Sequence, residues 1–418
     1  MNIWILNHYA VPQKYYYLAR SYNFAQELMN RGHTVTIFAA SSVHNSDINL
    51  ITDGSLYREM SEDSINYVLF YGRQYEGTGK DRIINHIDVA WKMVRHCPKF
   101  IDKYGKPDVI YASAGQTFTL VAGIKLAKKF GIKCVSEVTD LWPESFVAYD
   151  LIGRNSPILK LLYAGERWIY KKSDAVIFSM EGGADYILEK GWDTDHGGPI
   201  DMSKIHHINN GVDIDKFNSN KENFVYEDPD LNDKNIFKVV YTGSIRKVNK
   251  VEELVEVAKI LQARKQNNVK FLLWGTGDYV ELVRGKIAEY GLKNIELKGF
   301  VEKKYIPSIL EKSDLNIYIL PESPLFKFGI SANKTFEYFA SGKPVLASAN
   351  SGYSIIDRYQ CGICLEKFSL ETLAEEIIRF NNMPNEEYDQ YCTNASMAAE
   401  NYDFNKLTDK LLTILSKE

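Results

Sequence analysis

The sequence predicts an α/β protein of two Rossmann-like domains, each built on a parallel sheet, facing a central cleft. Three observations carry this expectation. The chain has 418 residues, more than a single hydrophobic core usually organises. Short apolar runs alternate with stretches of helical period twice over, and the second series restarts at Val239 after a polar stretch. The carboxyl ends of the runs, where open α/β sheets collect ligands, carry glycines, carboxylates and cations. Hydrophobic residues at 45% and charged residues at 25% are ordinary for a globular chain, so a sizeable core is available.

In the first half, an apolar run at 3–6, a helical pattern at 17–30 (Leu18, Tyr22, Ala25, Leu28) and a run at 35–39 after Arg31-Gly32-His33 make one βαβ unit. Asn7, His8, Tyr17 and Arg20 lie between its strand and helix, where such sheets bind ligands. A dinucleotide fold would need Gly-x-Gly-x-x-Gly there; its absence argues against a Rossmann-type oxidoreductase. Residues 44–85 are polar and glycine-interrupted, with one strand-like stretch at 66–71, and read as a loop-rich insertion. Residues 83–101 read as an amphipathic helix, with Ile87, Trp91 and Val94 beside Lys92, Arg95, His96 and Lys99. Such a helix is either a solvated part of the domain or a membrane-surface contact. A strand at 107–111, a helix at 117–130 and a strand at 133–138 follow. Glu137, Asp140 and Glu144 then stand at a strand end, as substrate contacts or as helix caps. A helix at 158–172, a strand at 175–179, a helix at 182–190, a strand at 204–209 and a turn at Asn210-Gly211 close a first domain of residues 1–213. Residues 214–236 have a linker's composition.

The second domain, residues 237–399, repeats the alternation. A strand at 239–242 runs into Gly243, Ser244, Arg246 and Lys247, a helix is marked by Val251, Leu254, Val255, Ala258 and Leu261, and a strand at 271–274 ends in Gly275-Thr276-Gly277. A helix at 279–290 and strands at 295–297, 315–320 and 345–348 complete the sheet. After Tyr359 the pattern is helical to the end, and the helix at about 400–418 is expected to return to the first domain. Residues 330–345 read as loop, short helix and strand, stopped by Gly342 and Pro344. Lys334 and Glu337 project from one face of that helix. An ammonium and a carboxylate so placed suit a phosphorylated, hydroxyl-rich ligand, though such pairs also decorate ordinary solvated helices. With Arg246, Lys247 and Lys250, Lys334 would neutralise a diphosphate without a metal.

A net charge of −4 and the lack of an arginine-rich block argue against nucleic-acid binding. Five scattered cysteines suit a reducing cytosol, and the lone Cys361-Gly-Ile-Cys364 reads as ordinary thiols with no metal expected. No apolar run reaches membrane-spanning length, and the N-terminus lacks a signal peptide's features. The expected location is the cytoplasm, extending to peripheral contact with the inner membrane face.

Taken together, several stretches resemble one family in order and spacing: Arg-Gly-His-Thr-Val at 31–35, Ile-Asn-Asn-Gly-Val-Asp at 208–213 with Phe217, Tyr-Thr-Gly-Ser at 241–244, Trp-Gly-Thr-Gly at 274–277, and Glu337 with Ser-Gly-Lys-Pro-Val at 341–345. The chain resembles the retaining nucleotide-sugar glycosyltransferases of the GT-B fold, family 4. Lys334 and Glu-Val-Thr-Asp-Leu-Trp-Pro-Glu at 137–144 look like a branch common in bacterial O-antigen and capsule assembly. The resemblance implies transfer of a hexosyl or N-acetylhexosaminyl unit from a UDP-linked donor to a saccharide or polyprenyl-linked saccharide, without cofactor or metal. It assigns the donor to Gly243, Ser244, Arg246, Lys247, Gly275, Lys334, Thr335 and Glu337, with Glu337 on the ribose. The chemistry falls to Asp140, Glu137, Lys247 and Lys334, and the acceptor to Asn7, His8, Tyr17 and Arg20. Two positions depart from the family pattern. Gly329 stands where a second glutamate is usual, and Ser244 replaces an arginine. A catalytically silent nucleotide-sugar-binding subunit of the same fold therefore stays open.

Overall fold

The structure, a computed structural model, describes residues 1–417 except 17, 45, 76–78, 115–116 and 349–350. The chain forms two compact units, Met1–Asn209 with Phe404–Glu418, and Asn210–Asp403.

The first unit holds an eight-stranded sheet: β1 (Asn2–Leu6), β2 (Thr34–Ala40), β3 (Tyr57–Glu62), β4 (Ile65–Phe70), β5 (Val109–Ala114), β6 (Lys133–Val138), β7 (Ala175–Phe178) and β8 (Ile205–His207). Their order is β3-β4-β2-β1-β5-β6-β7-β8, parallel throughout except for β3 against β4. Both faces of such a sheet are covered, which is why β1 and β7 are continuous apolar runs. α1 (Ala19–Asn30) carries the chain from β1 outward to β2. α2 (Lys80–His96), α3 (Phe118–Phe130) and α4 (Pro157–Lys172) step the opposite way, to β5, β6 and β7. Right-handed crossovers then place α2, α3 and α4 on one face and α1 on the other. The C-terminal helix, Phe404–Ser416, packs against α1, with Phe404 edge-on to Phe24 at 5.2 Å.

The region read as a loop-rich insertion differs from expectation by a whole strand. β3 pairs antiparallel with β4 through a two-residue turn at Asp63 and Ser64, whose φ angles of 50° and 65° are those of a tight hairpin. β3 is a polar edge strand with no fully buried residue, so its sequence carries no apolar run.

The second unit holds a parallel sheet of β9 (Phe237–Thr242), β10 (Val269–Trp274), β11 (Ile295–Gly299), β12 (Leu315–Ile319), β13 (Val345–Ser348) and β14 (Gly362–Cys364), in the order β11-β10-β9-β12-β13-β14. Its principal helices are α5 (Val251–Ala263), α6 (Val280–Glu289), α7 (Asn333–Ala340), α8 (Leu370–Asn381) and α9 (Asn385–Asn401). β14 interrupts the stretch expected to be wholly helical after Tyr359; three residues are too few to show a period. A Cβ on Gly362, at φ 154°, would fall 1.9 Å from the Val345 carbonyl oxygen, so only glycine lets this edge strand pair.

Residues 214–236 are folded rather than a linker. They form helices Ile214–Asn223 and Pro229–Asn232, and Phe217 and Leu231 lie in the second unit's core. The two anchors are isolated among polar residues, and that composition masked them. Asp228 and Asp230 are held by Lys298 at 2.9 and 2.6 Å. Among the described residues no helix is long and apolar enough to cross a membrane.

Candidate functional site

In the second unit, the loops after β9, β10 and β11 are laced together by backbone. The Gly243 N–H donates to the Trp274 carbonyl at 3.0 Å, Ile245 to Thr276 at 2.8 Å, and Gly275 to Gly299 at 2.8 Å. A Cβ on Gly275 would lie 1.8 Å from the Gly243 carbonyl oxygen, and one on Gly277 2.2 Å from that of Ile245. The Gly-x-Gly pair thus exists to let two loops touch. Gly243 and Gly275 were expected to hold the donor; their amides are already used within the sheet.

α7 is fixed against the end of β9 by Tyr338, whose hydroxyl accepts the Thr242 N–H at 3.0 Å. This brings Lys334 over Tyr241: the ammonium lies 4.5 Å from the ring centroid and donates to the hydroxyl at 3.2 Å, and that hydroxyl donates to the Ser244 carbonyl at 2.7 Å. A Cβ on Gly243 would sit 3.2 Å from Lys334 Nζ, so glycine there leaves the ammonium its space. Among the described residues no carboxylate is within ion-pair distance of Lys334. Desolvation lowers its pKa from 10.5 to about 8; the nearby Glu337 charge opposes the shift and Lys303 adds to it.

Glu337, one turn along α7, is largely buried and pairs with Lys303, from the short helix Lys303–Tyr305 that follows β11. Lys303 escaped the sequence reading because only the β11 loop's position brings it there. Ser244 is exposed, with its hydroxyl accepting from Asn249 Nδ2 at 2.8 Å. Arg246 and Lys247 are exposed on the same loop, and Lys250 pairs with Glu253 at 3.6 Å. Thr335 does not fit its expected donor contact: it is buried and donates to the Tyr318 hydroxyl at 3.1 Å. Gly329 has φ 98°, a conformation a glutamate would strain to adopt.

In the first unit, Glu137 and Arg20 are also corrected. Glu137 is fully buried and accepts from Arg20 Nε at 2.8 Å, Arg20 Nη2 at 2.6 Å, Ser113 Oγ at 2.6 Å and the Tyr111 hydroxyl. Arg20 further donates to the carbonyls of Ile208 and Asn209 at 2.8 and 2.5 Å. Buried and with its lone pairs taken by these donors, Glu137 is a structural anchor with Arg20 rather than an exposed contact. Asn7 is buried too. Its amide donates to Ser21 Oγ at 2.9 Å and its oxygen accepts the Tyr9 N–H at 3.0 Å, shaping the turn after β1. Tyr17 lies outside the described residues.

His8 is stacked on His86 at 3.7 Å between centroids, and its buried Nε2 has no partner among the described residues. Tyr9 joins the pair: its hydroxyl contacts His86 Nε2 at 2.9 Å and accepts from Arg82 Nη2 at 2.8 Å. Burial pushes His8 well below the usual imidazole range and His86 down to about 3, with the Arg82 charge adding to both, so both rings are neutral at physiological pH. Asp140 is exposed beyond β6. Desolvation raises its pKa, against the Arg82 charge and a hydrogen bond from Thr139. Tyr9, Arg82 and His86 were missed as site residues, although Arg82 and His86, four apart at the start of α2, share a helix face at the strand ends.

The five cysteines form no disulfide, and burial pushes the Cys361 thiol up to about 12. Among the described residues no group of three or more His, Cys, Asp or Glu converges as metal ligands would.

Comparison with known proteins places this geometry in a class. Residues 226–397 match the family described as Glycosyl transferases group 1, and residues 20–216 match Glycosyltransferase Family 4. The chain is a GT-B protein with a group 1 second unit and a family 4-type N-terminal unit. Among individual proteins, it is 23% identical over 225 residues to the putative teichuronic acid biosynthesis glycosyltransferase TuaH of Bacillus subtilis (strain 168), a match covering 51% of this chain and 50% of the relative. The chain thus spans about half the length of the curated relative it matches. Among solved structures, sucrose-phosphate synthase from Thermosynechococcus elongatus superposes with a TM-score of 0.71 at 15% identity, over 100% of this chain and 98% of that one. Anabaena HepE in complex with UDP-glucose superposes with a TM-score of 0.64 at 16% identity, over 100% and 99%. These structural likenesses establish the two-domain α/β fold with parallel sheets.

Proposed function

We propose that the protein is a glycosyltransferase that moves a hexosyl or N-acetylhexosaminyl unit from a UDP-sugar to a saccharide or lipid-linked saccharide, with retained anomeric configuration, in surface polysaccharide assembly at the cytoplasmic side of the membrane. The observation that carries this is Lys334, a half-buried ammonium without a carboxylate partner among the described residues, one turn from Glu337. A desolvated cation in that state gains most from a dianionic phosphate group. The family matches of both halves and the UDP-glucose complex of HepE support the choice of donor.

In this reading Lys334, with Arg246 and Lys247 from the β9 loop, takes the diphosphate, and the Glu337 carboxylate accepts two ribose hydroxyls while Lys303 balances its charge. The bond from the anomeric carbon to the phosphate oxygen breaks, and the cations stabilise the charge developing on the departing diphosphate. The acceptor hydroxyl forms its new bond on the same face and gives its proton to that phosphate oxygen. Cations of the chain supply this stabilisation, so the reading needs no metal. Asp140 and Arg82 are the polar groups of the first unit offered to the acceptor, and the buried neutral imidazoles of His8 and His86 pack behind Arg82.

Glu337→Gln tests the reading. It keeps the shape and removes the carboxylate, so the dissociation constant for UDP should rise at least about tenfold and turnover should fall with it. Unchanged affinity and unchanged turnover would overturn it. Gly329, where related enzymes carry a glutamate, favours the alternative of a silent donor-binding subunit. UDP binding without transfer or donor hydrolysis across a broad acceptor panel would establish that alternative.

A further inference from the structure

The helical layer formed by α2, α3 and α4 is the most unusual surface of the first unit. It combines large exposed apolar side chains with a strong excess of positive charge. On α2, Ile84 and Ile87 are each 47% exposed and Trp91 is 57% exposed; on and before α4, Leu151 is 70%, Ile158 64% and Leu161 73% exposed. Between α2 and α3, Ile87 and Trp91 border a groove of about 220 Å³ lined on its other side by Phe118, Val121 and Lys125.

The charges are segregated to the same layer. α2 contributes four Lys or Arg and two Asp, α3 three lysines and no acid, and α4 four basic residues and one acid. That one acid, Glu166, is buried under Tyr170 and Tyr186. Of the two aspartates, Asp88 is paired with Lys92 at 2.6 Å. With Lys92 held by Asp88 and Arg82 turned to Tyr9, nine exposed cations stand against one exposed carboxylate, Asp81, in a chain whose net charge is −4. The rest of the molecule is correspondingly acidic.

We propose that this three-helix face docks on an anionic lipid bilayer. Both halves of the surface are needed for that choice. A polyanion such as nucleic acid would account for the lysines and arginines, but it gives Leu161, Ile158 and Ile87 nothing to bury against. An apolar protein partner would account for those side chains but would leave the excess cations desolvated and unpaired. A bilayer with anionic headgroups satisfies both, because the apolar side chains enter the headgroup–acyl boundary while Lys and Arg reach the phosphates. Trp91 suits that boundary: the Arg95 guanidinium stands 5.7 Å from its ring, an amphipathic pair of the kind enriched at lipid–water interfaces. The inference concerns where the protein resides and does not rest on the transfer reaction.

The test is flotation of the full-length protein with unilamellar vesicles, either phosphatidylcholine alone or phosphatidylcholine mixed with phosphatidylglycerol. The wild type should float with the mixed vesicles, float poorly with phosphatidylcholine alone, and be released by high salt. The double variant Trp91→Glu/Leu161→Glu should lose partitioning by at least about tenfold, and Lys125→Glu/Lys128→Glu should lose it on anionic vesicles specifically. Thermal stabilisation by UDP, measured in parallel, reports that each variant is folded. It also keeps failure of the docking proposal distinct from failure of the donor-site reading. No flotation with mixed vesicles, equal flotation of wild type and both variants, or a solution dimer that Trp91→Glu/Leu161→Glu dissociates would each overturn the proposal.

Discussion

Lys334→Met should strengthen the ligand-free protein and weaken its hold on nucleotide in the same step. Burial lowers the lysine's pKa from 10.5 to about 8, which corresponds to about 3 kcal/mol of cost in keeping the ammonium charged. Methionine fills similar space with no charge, so at pH 7 the variant should be more stable by about 1–3 kcal/mol. The direction with pH follows from linkage. The unfolded chain keeps the lysine proton up to about 10.5, the folded chain only up to about 8, so wild-type stability rises through that window and the advantage of methionine fades by its upper end. Nucleotide binding has the opposite dependence, because only the ammonium form attracts a diphosphate. The wild-type dissociation constant for UDP should rise about tenfold between pH 7 and 9, as the protonated fraction falls. Lys334→Arg, charged throughout, should show only the background from the nucleotide's own titration. Calorimetric titration across that range, in buffers of differing ionisation enthalpy, would also register the proton taken up at the alkaline end. Two results would refute the reasoning: a wild-type pH slope equal to that of the arginine variant, or a methionine variant that binds UDP as the wild type does.

Other outcomes follow from the buried charges of the first unit. Arg20→Leu leaves the Glu137 carboxylate buried without its cation and releases the carbonyls of Ile208 and Asn209, so denaturant unfolding should show a loss of about 3–5 kcal/mol; a loss below about 1 kcal/mol would contradict the anchoring role. The Glu166 carboxyl is raised to about 8 by burial, against the hydrogen bonds it accepts from Tyr170 and Tyr186. The folded chain therefore keeps a proton that the unfolded chain releases above about 4.5, and stability falls as pH rises from there to about 8. Glu166→Gln should raise the melting temperature at pH 8.5 and change it little at pH 4, as calorimetry at the two pH values can check.

Much of this architecture can be read from the chain because parallel strands buried on both faces are continuous apolar runs. β9 and β10 announce themselves, and α7 is bracketed by its helical period and by Gly342 at φ 64°. β3 and β14 are the counterexamples, one polar because it is an edge, the other too short to have a period. The site was legible to the level of a loop but not of a side chain. Glu137 and Asp140 are three residues apart at one strand end; one meets an arginine 117 positions earlier and is buried, the other is exposed. Pairing over such a separation has no local signature. Gly275 misleads for another reason: a glycine needed for contact with a neighbouring backbone has the same sequence as one needed for contact with phosphate.

The route of the backbone also bears on synthesis. The second unit is one uninterrupted segment, Asn210–Asp403, inserted within the first, whose helix Phe404–Ser416 is made only after it. Phe404, Leu407, Leu411, Ile414 and Leu415 belong to the first unit's core. A nascent chain emerging from the ribosome can therefore finish its later unit before its earlier one, and the N-terminal sheet waits with the α1 face uncovered until Phe404–Ser416 has emerged. Loss of the segment Phe404–Glu418 would strip that face and make the oldest part of the polypeptide the aggregation-prone part.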